Sequence, residues 1–310
     1  MKVLVTGGAG FIGSHLVRAL VARGDTVRVL DNLSSGKRSN LDGVAAEFME
    51  GDVVHADAVR QALTGMTHVI HLAALVSVPR SVAEPVFSNA VNVIGTLNVL
   101  VAARDLGLQR VVCASSSAVY GDAFEGDKHE ELALYPISPY GADKLAGEKY
   151  LSVFYAMYGL ETVALRYFNV FGPRQDPRSE YAAVIPKFIT ALLNRCRPTI
   201  FGDGRQTRDF TYVDNVVHGN LLALEAPQAA GQAINVATGV AVDLNFLAAT
   251  LADITGHPEL EAMHGEPRQG DIRHSSANIA RARQVLQFEP VVDLREGLIR
   301  TVRWYQARIV

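Results

Sequence analysis

Hydrophobic positions along this chain switch between short runs and helical stripes through its first half. Residues 2–5 form an apolar run with β-branched members, which predicts a buried strand. From Phe11 the apolar positions fall at Ile12, Leu16, Ala19 and Leu20, the stripe of a helix that Gly24 ends. Strand-like runs return at 26–30, 46–50, 67–72, 110–114 and 162–167. Long stripes return at 85–107, through Val86, Ala90, Val93, Leu97, Leu100 and Val101, and from Pro139 through Leu145, Leu151 and Tyr155. Such alternation predicts an α/β fold with a Rossmann-like, doubly wound parallel sheet. Beyond Phe168 the pattern loosens into proline- and arginine-rich loops, short strands and scattered helices, which predicts a smaller C-terminal α/β portion. A helix over 212–224 is expected to return to the first unit. The expected division is 1–168 plus about 211–230 for one unit, and 169–210 with 231–310 for the other.

Composition narrows this picture only slightly. The chain has 310 residues, 49% hydrophobic and 20% charged, which is ordinary for a globular protein with a sizeable core. A net charge of −3 gives no reason to expect nucleic-acid or membrane binding. Two cysteines, Cys113 and Cys196, are too few for a disulfide framework or a zinc site, and no metal is expected. The first residues read as strand and turn rather than as a leader, and no apolar run reads as membrane-spanning. A cytoplasmic protein is expected.

Candidate chemistry begins at the first turn. Gly7-x-x-Gly10-x-x-Gly13 follows a strand and opens a helix. Missing Cβ atoms there let backbone N–H groups approach a pyrophosphate, and the helix N-terminus adds partial positive charge. Phe11 and Ile12 belong to the same turn. Asp31 ends the second strand, 18 residues past Gly13, where an acid binds the adenosine ribose. The polar loop after it contains Asn32, Gly36, Lys37 and Arg38. Lys37 and Arg38 could clamp a 2′-phosphate, but the Asp31 carboxylate opposes one, which favours NAD. Asp52 and Val53 follow the third strand, and Asp52 could accept from the adenine amino group or cap the next helix. Leu72, Ala73 and Ala74 end the fourth strand, small enough for a cofactor to pass close to the backbone. His68 and His71 read as structural. Tyr140-x-x-x-Lys144 places a phenol and an ammonium on one helix face, an arrangement that favours the phenolate. A serine at the tip of the preceding strand, among Ser115, Ser116 and Ser117, can bond the tyrosine and a substrate oxygen.

TGGAGFIG, HLAA, SSSAVYG, PYGADK and RYFNVFGPRQ, in this order, resemble the extended short-chain dehydrogenase/reductase family, and within it the nucleotide-sugar 4-epimerases. The resemblance covers essentially the whole chain. It implies that the catalytic hydroxyl lies four residues before Tyr120, which selects Ser116, and that Tyr140 and Lys144 are the catalytic pair. It places Asn92 and Tyr167 at the cofactor. Dehydratases of the family carry Asp-Glu after the hydroxyl residue; Ser117 and Ala118 stand here, which argues against dehydration. The implied reaction is reversible C4 epimerisation of a UDP-sugar through a 4-keto intermediate, with NAD retained between turnovers. The two long helices match those that pair in dimeric relatives, so a homodimer is implied. A UDP-glucuronate or UDP-pentose 4-epimerase, a 4-keto-sugar reductase and a silent NAD-sensing protein are the competing readings.

The resemblance also assigns the UDP-sugar. Asn169 matches the diphosphate-binding asparagine. Ala183, Val184, Ile185, Phe201, Arg208, Arg268 and Asp271 match segments that hold the uridine diphosphate: arginine forks for phosphate, a ring for uracil and a carboxylate for ribose. Hexose-only bacterial 4-epimerases have a tyrosine four residues after the aspartate that matches Asp271. Ser275 stands here and leaves room beside the sugar C2 for an N-acetyl group, which favours UDP-N-acetylglucosamine and UDP-N-acetylgalactosamine without excluding UDP-glucose and UDP-galactose.

Overall fold

The computed structural model describes residues 1–122, 124, 126–176, 183–267 and 273–309. Among them the main sheet has seven strands, all parallel, in the order Gln232–Val236, Glu161–Tyr167, Arg110–Ser116, His68–His71, Lys2–Thr6, Thr26–Asp31, Glu47–Glu50. This is the expected doubly wound sheet. Chain order reverses between Lys2–Thr6 and His68–His71, and at such a switch point a crevice opens beyond the carboxyl ends of the strands.

The strands read as apolar runs because both faces are covered. Val3, Val5, Val27, Val29 and Val112 pack with helices Phe11–Arg23 and Val213–Glu225. Leu4, Leu30, Val69 and Val111 pack on the other face with Ala56–Leu63, Pro85–Asp105 and Pro139–Tyr158. A third core, around Phe171, Ile185, Phe188, Phe210 and Leu247, builds the smaller portion. The strand Gln232–Val236 corrects the expected division: it pairs along Glu161–Tyr167 at the sheet edge, although it lies in the 231–310 range read as the second unit. Its five residues include the fully buried Asn235, and so short and interrupted a run carries no clear period.

Two helices position the site. Pro139–Tyr158 starts where Ser138 Oγ accepts from the Gly141 N–H at 3.1 Å, with proline at its first position, and stops at the left-handed Gly159. Pro85–Asp105 spans 21 residues with mean hydropathy 1.6, which corrects the expectation that no apolar run has membrane-spanning length; half of that apolar stretch is buried within the fold. It is also not one regular helix, because residues Ala90–Ile94 form a π turn. Such turns recur at functional sites.

Candidate active site

A cleft of about 1220 Å³ opens at the switch point. Its wall begins with the glycine turn. A Cβ on Gly13 would lie 2.1 Å from the Gly7 carbonyl oxygen, so only glycine closes the turn there. Gly7 has φ 71°, and a Cβ on it would meet the Ala73 nitrogen at 2.8 Å. Gly10 precedes helix Phe11–Arg23 without any side-chain cap, and Phe11, Ile12 and Gly13 line the cleft, so the first N–H groups of that helix are available to an anion.

Asp31 is buried, which raises its pKa, but its two oxygens accept from Ala9 N–H at 2.9 Å and Leu33 N–H at 2.8 Å, which favour the carboxylate. That carboxylate links the glycine turn to the loop after the second strand and borders the cleft with its remaining lone pairs. Gly36 packs beside it, since a Cβ there would come within 3.0 Å of Asp31 Oδ1. Lys37 pairs with Asp176 at 3.1 Å, and Arg38 stacks over the Phe48 ring at 3.9 Å. Asn32 donates to Asp52 at 2.7 Å, and Asp52 also accepts from Val54 N–H at 3.0 Å. Helix Ala56–Leu63 has His55 at its N-cap, so Asp52 does not cap it. Asn32, Asp52 and Val53 all line the cleft, as do Leu72, Ala73 and Ala74.

Beneath that last segment lies a buried polar chain. Ala73 N–H donates to Thr6 Oγ1 at 3.2 Å, and Thr6 Oγ1 meets His71 Nδ1 at 2.7 Å. His71 Nε2 meets Thr96 Oγ1 at 3.1 Å, and Thr96 donates to the Asn92 carbonyl at 2.6 Å. Burial, with Lys144 nearby, pushes His71 down to about 3, so it is a neutral structural hub. Asn92 does not reach the cleft. Its amide bonds Leu75, accepting from N–H at 2.8 Å and donating to the carbonyl at 3.1 Å, so it holds the end of the Leu72–Ala74 wall, the candidate cofactor floor, from behind.

Ser116, Tyr140 and Lys144 converge on the same cleft. Lys144 Nζ donates to the Ala114 carbonyl at 2.8 Å and stands 5.9 Å from the centre of the Tyr140 ring. Tyr140 N–H donates to Ser81 Oγ at 3.1 Å. Ser116 Oγ accepts from Ala118 N–H at 3.2 Å, whereas the Ser115 hydroxyl is committed to buried Glu148. Glu148 is held by Arg166 through bonds of 2.9 and 2.7 Å, and Arg166 reaches Tyr120 Oη at 2.8 Å. Tyr140, Lys144 and Glu148 thus share a stripe, the first two open to the cleft and the third locking the helix to the sheet. Tyr167 lines the cleft while its hydroxyl donates to Asn220 at 3.0 Å. Cys113 is buried and inert, its thiol pushed up to about 11.

The second unit contributes less directly. Asn169 lines the cleft with φ 31° and donates to the Asp209 carbonyl at 3.2 Å. Ala183 lines it at the uncapped start of helix Val184–Leu193. Val184 packs against the third core from its edge, and the Ile185 side chain lies inside that core, so neither side chain lines this cleft. Phe201, Arg208 and Ser275 lie outside the cleft wall; Arg208 and the buried Ser275 are neighbours across paired strands. Arg268 and Asp271 fall outside the described residues. Missed from sequence were Arg174, Thr190, Asn194, Trp304, Tyr305 and Arg308, all on the cleft wall, and the serines Ser81 and Ser88 behind it. Ser88, Asn92 and Thr96 had a signal, polar residues four apart on an apolar helix, and Arg174 lies within the RYFNVFGPRQ motif; the other wall residues had none. Among the described residues no cluster could hold a metal ion.

Residues 3–237 match the model of the NAD dependent epimerase/dehydratase family. The chain is 42% identical over 317 residues to the UDP-glucose 4-epimerase of Mycolicibacterium smegmatis, with 99% of each covered. Among solved structures it resembles the UDP-glucose 4-epimerase of Thermotoga maritima with UDP-glucose (TM-score 0.95, 39% identity, 100% of each chain). It equally resembles the UDP-N-acetylglucosamine 4-epimerase of Methanobrevibacter ruminantium in complex with UDP-N-acetylmuramic acid (TM-score 0.94, 43% identity, 99% of this chain and 98% of that one).

Proposed function

This chain belongs to the NAD dependent epimerase/dehydratase family, and we propose that it is a 4-epimerase preferring UDP-N-acetylglucosamine and UDP-N-acetylgalactosamine, with UDP-glucose and UDP-galactose also accepted. UDP-sugar 4-epimerisation, an isomerase activity, is what the three relatives described above are named for, and the family is NAD-dependent. The observation that carries the reaction is the convergence of Ser116, Tyr140 and Lys144 on a cleft whose serine is followed by Ser117 and Ala118, neither an acid. NAD, when bound, accepts a hydride from the sugar C4 and returns it. The uncapped glycine turn and the Asp31 carboxylate fit its pyrophosphate and adenosine ribose.

In this reading Tyr140 takes the C4 hydroxyl proton and later gives it back to the same oxygen. Ser116 bonds that oxygen and keeps it beside the phenol. Lys144, fixed by the Ala114 carbonyl, has N–H donors left for the nicotinamide ribose, and its charge favours the phenolate. Asn169 and the start of helix Val184–Leu193 take the diphosphate, about which the keto sugar turns. The resemblance assigns Arg208, Arg268 and Asp271 to the uridine diphosphate. The larger sugar is supported by Ser275 in place of a tyrosine; relatives of nearly equal likeness bear the names of both sugars. A homodimer is supported by the exposed Val86, Ile94, Val101, Val153 and Met157 along the two long helices.

Product analysis of the purified protein, without added NAD, on UDP-N-acetylglucosamine and UDP-glucose in parallel tests this reading. C4 epimers of both, with the N-acetylated sugar turned over faster, are expected. No change in either sugar overturns it.

A further inference from the structure

Asp143 is a buried carboxylate that the reaction above leaves unused. It sits between Tyr140 and Lys144 in sequence, on a face of their helix turned toward Pro85–Asp105. Its Oδ2 accepts from the Ser88 hydroxyl at 2.6 Å and its Oδ1 from the Asn89 amide at 3.1 Å. Ser88 Oγ in turn accepts from the Asn92 amide at 3.3 Å, and Asn92 holds Leu75 at the end of the cofactor floor. An unbroken chain of hydrogen bonds therefore runs from the floor, through the π turn, to the first turns of the catalytic helix.

Among the described residues the donors to Asp143, Ser88 and Asn89, are both neutral. A neutral acceptor would make comparable bonds at far smaller desolvation cost, so a carboxylate here needs a reason beyond packing. The surroundings supply one. On its own helix the charged neighbours are Lys144, next in sequence, and Glu148, whose charge Arg166 takes up. The Pro85–Asp105 helix presents only Ser88, Asn89 and Asn92. The Val78–Ala83 helix brings Arg80, which is exposed and paired with Glu84. The strand end Ala114–Ser116 is uncharged, and His71 below is neutral. Among these described neighbours none is a cation paired with Asp143, which stands three residues after Tyr140 on the same helix and lines one small pocket with Lys144.

We propose that Asp143 is a positioning residue that anchors the catalytic helix to the cofactor floor and balances the positive charge around Tyr140. The inference rests on the roles given above to Tyr140 and Lys144. The Lys144 ammonium and a bound nicotinamide both favour the phenolate, but a phenolate stabilised too far is a weak base. A buried negative charge one helical turn away restores its ability to take the sugar proton.

The test is Asp143→Asn in the holoenzyme. Expected are a fold and NAD content like the parent, KM for the UDP-sugar within twofold, and kcat lowered about tenfold. The acid limb of the kcat profile should move to lower pH by half a unit or more, because loss of the negative charge favours the phenolate. Ser88→Ala, which keeps the carboxylate, should lower kcat without moving that limb, and Ser88→Thr should restore part of the loss. An unmoved acid limb in Asp143→Asn, or a kcat loss that merely follows loss of NAD or of melting temperature, overturns the proposal. Absence of epimerisation in the parent protein would instead overturn the functional reading itself.

Discussion

The two halves of the cleft are built differently. On the cofactor side, many candidate residues sit at the ends of parallel strands or at the start of the helix that follows, and several are tied to a neighbouring strand's end: Asp31 to Ala9, Asn32 to Asp52, Ala73 to Thr6. On the sugar side, candidates come from separate elements between residues 169 and 275, and among the described ones only Asn169 and Ala183 reach the cleft wall. In the proposed function the first arrangement presents backbone groups at fixed spacing to a ligand that stays. The second would bring side chains from independent loops to a substrate that, in the same proposal, must enter, turn over and leave, and there a single substitution can change what fits.

The sharpest way to probe that contrast is at the junction between the halves. Tyr140→Phe should keep the fold and the bound NAD and lose roughly 10³-fold in turnover, measured by product formation. Near-normal activity would remove the tyrosine from the chemistry. On the cofactor side, Gly13→Ala forces a methyl against the Gly7 carbonyl, and the turn has to shift. Protein purified from this variant should carry little NAD, read from its absorbance ratio, and melt several degrees lower; full NAD occupancy would show that the turn is less exacting than its geometry.

The floor has its own pH signature. His71 is held down to about 3 against an ordinary 6.5, by burial first and Lys144 second. The unfolded chain therefore takes up this proton before the folded one. Its contribution to stability is fully present above about pH 6.5 and is lost progressively as pH falls toward about 3, costing roughly 2–3 kcal/mol by about pH 4.5. His15, lowered to about 4 chiefly by burial, adds in the same direction. Melting temperatures measured from neutral to acid pH should fall, and His71→Gln should flatten the slope.

The smallest expected effect lies on the sugar side. Ser275→Tyr should cost about tenfold or more in kcat/KM for the N-acetylated sugar relative to UDP-glucose. Equal losses on both would mean that a ring at this buried position disturbs the fold rather than the choice of sugar.

This contrast also explains what could be read from sequence. Parallel strands buried on both faces leave apolar runs, and the glycine turn, Asp31 and the Tyr140–Lys144 pair are local patterns with fixed spacing. Six of the seven sheet strands and the approach of a serine-tipped strand to the Tyr140–Lys144 pair were therefore legible, while Ser116 among the three serines was selected by resemblance. Gln232–Val236 was not, because its place is set by pairing with a strand about 70 residues earlier. Nor was the wall formed by Trp304, Tyr305 and Arg308, which only the docking of the last helix brings to the cleft. Asn92 was found by resemblance, yet its work behind the floor shows only in its two bonds to Leu75.

The π turn at Ala90–Ile94 has a consequence for how this protein can change over generations. Such a turn is what a one-residue insertion leaves inside a helix. Deleting a residue there would restore a regular helix but rotate the segments on its two sides by about 100° relative to each other. Asn92 and Thr96 could not then both face the cofactor floor while Ser88 faces Asp143. Side chains on this segment can change one at a time, while its length is closed to indels.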